Sequence, residues 1–278
     1  MEDYLASLEN ELPKLDRMLD ECAKRRIRVL VDLHWAPYGR SRSNVNYLDD
    51  STESEAVLTE AVRRIARRIK DHPAVYGFEP LNEPSEKFSV GAVKNGAGWH
   101  ALAGRLVAAI RREAPELPVV IEPPGAGSPP NFRNWKPLND PRIIYSVHMY
   151  IPQDYTHQGV EGRSWPISYP GTVGGTEYNR QRLREVLNPV LDFQKKYRVP
   201  IMVGEFSAAA WAPGAAQYLS DCIGIFEEAG WDWTYHAFRE WDGWSVEHTG
   251  TPGKLEKSKT DTDRRKVLLD SFKRNPQP

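Results

Sequence analysis

Two glutamates close two apolar segments of this 278-residue chain: Glu83 in FEPLNEP, residues 78–84, and Glu205 in IMVGEFS, residues 201–207. A carboxyl group can hold a proton and give it up, or attack an electrophilic carbon, according to its surroundings. Two of them at the ends of parallel strands are what cleavage of a glycosidic bond requires. One protonates the departing oxygen while the other attacks the sugar carbon or activates a water. In the retaining form of that chemistry the pair stands about 5–5.5 Å apart.

The elements that must position these groups are legible as alternating helix and strand, the pattern of a parallel sheet with crossover helices. Ile27–His34, Val75–Pro84 with its strand end, Val119–Gly125, Ile143–Tyr150, Val199–Ser207 and Trp231–Phe238 read as strands. Leu5, Leu8, Leu12, Leu15, Leu19 and Cys22 recur at helical spacing, and Pro13 is expected to split that stretch in two. Further helices are expected over residues 54–73, 98–113, 179–197, 215–229 and 263–273, whereas 119–142 carries little helical signal. No internal repeat or linker marks a second domain, so residues 1–278 read as one domain.

Strand alternation sorts the side chains by face. Ile144, Ser146, His148 and Tyr150 point one way, and Tyr145, Val147 and Met149 the other, toward covering helices. Glu205 shares a face with Ile201 and Val203, and His34 shares one with Leu30 and Asp32. Trp241 falls just past the last strand. All of these lie at carboxyl ends of strands, where the loops of a parallel barrel build the active face. The segments that follow those strands, 35–50, 123–140, 151–175 and 241–262, are long and rich in Gly, Pro, Trp and Tyr.

Taken together, DLH at 32–34, LNEP at 81–84, HMY at 148–150, GEF at 204–206 and Trp241 resemble glycoside hydrolase family five, the cellulase-like retaining hydrolases of the TIM-barrel class. The resemblance runs from about Ile27 to the last helix. It implies an α/β fold of the TIM (β/α)8 type. It also implies Glu83 as general acid/base, Glu205 as the nucleophile that forms a glycosyl-enzyme bond, and Asn82 as a hydrogen bond to the neighbouring sugar hydroxyl. Tyr150 would orient Glu205, His148 would assist the acid/base side, and His34 and Trp241 would bind the sugar next to the scissile bond. The implied activity is that of an endo-β-1,4-glucanase on a β-linked polysaccharide, with no cofactor and no metal. Family members usually act outside the cytoplasm, so an extracellular or periplasmic address is expected.

About the last six of the family's eight strand–helix units are visible. The first helix, ending near Arg25, corresponds to the one before the third strand, and no residue matches an arginine that the family usually carries beside the nucleophile. The expectation is a barrel incomplete at its N-terminus, with open strand edges and exposed apolar surface. The alternative function is a non-catalytic, truncated remnant that binds carbohydrate without turnover. A metal-dependent hydrolase built on His34, His148 and a glutamate is disfavoured by the absence of compact ligand spacing.

Each signal also has a plain reading. Asn82-Glu83-Pro84 could start a helix, with Asn82 as its cap. His34 could be a hydrogen-bonded core histidine, and Glu79 a paired structural carboxylate. Trp35, Tyr38, Trp135, Trp165, Trp211 and Trp244 could stack on sugars or simply pack loops, and 156–158 could reach substrate. The arginines at 63, 64, 67 and 68 read as a solvated helix face. Lys and Arg total 37 against 38 Asp and Glu, which gives no electrostatic case for nucleic acid or an anionic membrane. Cys22 and Cys222 read as buried small apolar residues rather than a disulfide scaffold. The start of the chain is acidic and amphipathic, unlike a secretion signal.

Overall fold

The structure is a computed structural model that describes residues 2–37, 52–85 and 98–275. The chain forms two compact units: Met1–Gly127 with Asn134–Ser146, and Ser128–Arg133 with Val147–Pro278.

The first unit holds α1 (Glu2–Lys24), β1 (Val29–Asp32), α2 (Thr52–Ile69), β2 (Val75–Glu79), α3 (Gly98–Glu113), β3 (Val119–Ile121) and the start of β4 (Ile143–Met149). The strands pair in parallel, β1 with β2, β2 with β3 and β3 with β4. Among the described residues β1 stands at the end of the ladder. A largely apolar cavity of about 620 Å³ lies between α1 and β1, lined by Leu8, Leu12, Leu15 and Met18 on one side and Val31 and Leu33 on the other.

Contrary to the sequence expectation, Pro13 does not split α1. A helix-interior proline removes one backbone bond. Here contacts to α2 on both sides of it hold the helix together. Leu12 and Leu19 are buried, Glu9 takes Arg64 at 2.8 Å before the proline, and Asp16 takes Arg68 after it. The arginine run is therefore not a free solvated face. Arg64 and Arg68 reach α1, while Arg63 and Arg67 share Glu113 of α3 at 2.5 and 2.9 Å. Each such surface pair is weak, but together they fix the register of three helices.

The second unit continues β4 into α4 (Gln153–Thr156), the hairpin β5 (Gly171–Val173) and β6 (Thr176–Tyr178), α5 (Arg180–Tyr197), β7 (Ile201–Phe206), α6 (Ala215–Glu228), β8 (Asp232–Trp233), the hairpin β9 (His248–Thr251) and β10 (Lys254–Lys257), and α7 (Asp263–Phe272). β7 lies between β4 and β8. β8 is shorter than expected, yet Thr234 N donates to Val203 O at 2.9 Å and His236 N to Phe206 O at 3.2 Å, carrying the pairing onward. Asn179 and Thr262 cap α5 and α7, accepting from Arg182 N and Arg265 N. Pro129–Arg133 forms a 3₁₀ turn in a stretch expected to be loop, with Phe132 edge-on to Phe193 of α5. Buried Leu183, Leu187 and Val190 of α5 and Tyr218, Ile223 and Phe226 of α6 supply much of the core.

Among the described residues no helix is long and apolar enough to cross a membrane. Cys222 is buried, and that burial pushes its thiol far above the ordinary range, so it is inert. Cys22 is only half-buried.

Candidate active site

In the first unit the hydrogen bonding of β1 and β2 runs past their last strand residues. Leu33 N donates to Glu79 O at 3.0 Å and Asn82 N to Leu33 O at 3.2 Å. This places His34 and the buried Asn82 at adjoining carboxyl ends. His34 Nδ1 lies 2.8 Å from Asp32 Oδ2, a pair that the i, i+2 spacing on one strand face makes possible. The carboxylate favours the tautomer with the proton on Nδ1.

Residues 81–83 form a bend and Pro84 a bridge, so Asn82-Glu83-Pro84 does not open a helix at this point. Glu83 has φ +45°, a left-handed conformation that a non-glycine residue adopts at some cost. Hydrogen bonds at Glu83 and at Pro84 brace it there. Its own N–H donates to Glu122 Oε1 at 3.3 Å, and Pro84 O accepts from Gly125 N at 2.7 Å and Ala126 N at 3.3 Å. Glu122, fully buried just beyond β3, is not among the residues the sequence singles out. Its signal was a carboxylate in an otherwise apolar strand end. Trp99 Nε1 donates to Glu122 O at 2.7 Å and fixes that strand end in turn.

In the second unit three of the expected residues converge. Tyr150, just past β4, donates its hydroxyl to Glu205 Oε2 at 2.8 Å. His148 Nδ1 lies 3.7 Å from the same oxygen, with His148 buried and the Glu205 side chain 13% exposed. A hydroxyl that donates to a carboxylate favours the ionised form of that carboxylate.

Trp241 lies eight residues beyond β8 and is 40% exposed. Its ring meets Trp211 at 6.0 Å and Trp244 at 5.2 Å, both edge-on, and Trp244 lies 6.2 Å from Tyr150. Gly243 makes that arrangement possible, since a Cβ there would land on the Trp241 ring. His236, not singled out on sequence grounds, stands 6.5 Å from the Tyr150 ring and binds Glu240 at 2.8 Å. Of the loop aromatics, Trp35 and Trp165 are exposed, whereas Trp135 is buried against His100 and Trp211 donates to Gln158 O. Tyr38 lies outside the described residues.

Helix-connected parallel strands with carboxylates and imidazoles at their carboxyl ends define a TIM-barrel-type α/β hydrolase. Residues 2–242 match the family described as cellulase, glycosyl hydrolase family 5, and the chain belongs to that family. It is therefore a glycosidase that hydrolyses O-glycosyl compounds. Endoglucanase C of Acetivibrio thermocellus is 25% identical over 258 residues, covering 82% of this chain and 73% of its own length. A solved endoglucanase superposes with a TM-score of 0.71 at 26% identity, over 86% of this chain and 72% of its own. Cel5A of Thermotoga maritima, solved in complex with cellobiose, superposes at 0.70 over 92% of this chain and 77% of its own, at 22% identity.

Proposed function

We propose that this chain is a retaining endo-β-1,4-glucanase that cleaves a β-linked glucan by double displacement. The observation that carries the reading is the Tyr150 hydroxyl on Glu205 at 2.8 Å, beside His148. A carboxylate held by a phenol donor at the carboxyl end of β7 is equipped to attack rather than to hold a proton. In the first displacement Glu83 gives its proton to the departing glycosidic oxygen as Glu205 Oε attacks the anomeric carbon, and that carbon–oxygen bond breaks. Esterified Glu205 has lost its charge, so Glu83, now ionised, takes a proton from water. The water oxygen attacks the same carbon and frees Glu205, leaving the original anomeric configuration.

Asn82 would bind the hydroxyl beside the reacting carbon, and His34 and Trp241 the sugar next to the scissile bond. The reading takes residues 1–278 as one catalytic domain that needs neither metal nor cofactor. Support for a glucan comes from the endoglucanases among the relatives. Support for internal cleavage comes from the long segments after the strands. A polymer too large to enter a cell implies work outside the cytoplasm.

The test is hydrolysis of a panel of β-glucan, mannan, xyloglucan and xylan, with and without chelator, by the wild type and by Glu205→Gln and Glu83→Gln. The expected result is chelator-insensitive turnover of glucan that each substitution lowers by a factor of about 10³ or more. Initial release of the β-anomer, followed by NMR, checks retention. Binding without hydrolysis, unchanged in Glu205→Gln, would establish a carbohydrate-binding remnant instead.

A further inference from the structure

His157 closes α4, its N–H donating to Gln153 O at 2.9 Å. Its ring is edge-on to two aromatics, Tyr150 at 5.0 Å between centroids and Trp244 at 4.8 Å. Its Nδ1 lies 2.9 Å from the hydroxyl of Thr156, a fully buried residue, and that hydroxyl lies 2.7 Å from Tyr150 O and 3.4 Å from Gln153 O.

A threonine hydroxyl has one hydrogen. Both carbonyls can only accept, so that hydrogen goes to Tyr150 O, the nearer one. Nδ1 must then be the donor to Thr156 Oγ1. The chain of hydrogen bonds therefore runs from His157 Nδ1–H through Thr156 Oγ1–H to the Tyr150 carbonyl, and it fixes the tautomer. Tyr150 is held at both ends, by this relay at its backbone and by the His157 and Trp244 rings against its own.

We infer that His157 is a positioning residue for the hydrolysis: through Thr156 and through ring contact it holds Tyr150 so that the phenol delivers its hydrogen bond to Glu205. This rests on the reading of Glu205 as nucleophile. Burial, the largest cause, keeps the ring neutral at working pH; the charged and titratable groups Arg163 and His236 act in the same direction, and Glu205 acts against them without reversing the outcome.

Two variants separate the contacts. His157→Phe keeps a ring against Tyr150 and loses the donor. His157→Asn keeps an N–H near the Nδ1 position and loses the ring. The readout is the carboxyl titration of Glu205 by ¹³C NMR of glutamate-labelled protein, its signal assigned by its absence in Glu205→Gln. This measurement needs no turnover.

The expected result is a Glu205 midpoint raised by about 0.5–1 pH unit in His157→Phe, since a loosened phenol stabilises the carboxylate less. His157→Asn gives less than half that shift, and His157→Phe placed on Tyr150→Phe gives none beyond that of Tyr150→Phe alone. In turnover, the acid limb of kcat/KM moves with the midpoint and KM stays within about threefold. An unchanged midpoint in the folded His157 variants, or an equal shift in the Tyr150→Phe background, overturns the inference. Hydrolysis that survives Glu205→Gln overturns the nucleophile assignment instead, and the two failures are thus told apart.

Discussion

Lowering the pH should unload part of the stability of this protein through a single imidazole. Burial pushes His157 down from 6.5 to about 4. In the folded state the ring is neutral well into the acid range, while in the unfolded chain it takes up a proton near pH 6.5. The unfolded state therefore binds more protons between those values, and stability falls as pH falls. The contribution is complete above about pH 6.5, declines through the window from 6.5 to 4, and changes no further below it. A gap of about 2.5 units at about 1.36 kcal/mol each gives roughly 3 kcal/mol lost by pH 4. That is a large fraction of the about 5–15 kcal/mol typical of a folded domain. Urea unfolding of the wild type and of His157→Phe at half-unit steps from pH 7.5 to 4 measures it. The variant is less stable at neutral pH for lack of the bond to Thr156. Its curve should nevertheless be flatter through the window by up to one proton, because carboxylates elsewhere titrate equally in both proteins. Parallel curves for the two proteins between pH 6.5 and 4.5 would refute the reasoning.

Tyr150→Phe removes the phenol at 2.8 Å from Glu205, and a hydrogen bond to a charged group is worth about 1.5–3 kcal/mol, so the acid limb of the pH–rate profile should move up by about 1–2 units. Loss of activity only below that limb, with recovery at higher pH, distinguishes this from a folding defect. Tyr169→Phe leaves the buried Asp221 Oδ2 without the donor that now lies at 2.6 Å, while Gln217 still serves Oδ1 at 2.8 Å; urea unfolding should show a cost of about 1–3 kcal/mol. Gly243→Ala drives a methyl into the Trp241 ring, and if Trp241 binds sugar, KM for cello-oligosaccharides should rise severalfold with kcat little changed.

What was legible in the sequence, and what was not, divides along a physical line. Alternation along β4 and β7 is a local property, and it placed Tyr150 and Glu205 on facing positions that the structure joins by one hydrogen bond. Glycine turns are local too. Gly174 and Gly175, both at positive φ, close the β5–β6 hairpin, and Pro252-Gly253 closes β9–β10. Those hairpins are marked by their turns alone, because their strands are short and mostly polar.

Pairings between distant segments carry no local mark. The arginines of α2 look solvated from their own helix, because Glu9, Asp16 and Glu113 lie 46 or more residues away. Pro13 looks like a break for the same reason, since the contacts that span it belong to α2. Loop tryptophans show the limit most plainly. Trp35 and Trp135 occupy equivalent-looking aromatic loops, yet one is 56% exposed and the other 8%. Residue type says that a ring can stack on a sugar; only the packing around it says whether a face is left to do so. His157 extends that point, because an imidazole seven residues past HMY invites a role against substrate. Its Nδ1 is instead committed to Thr156 and its edge to Tyr150, so its influence on the reaction runs through the protein.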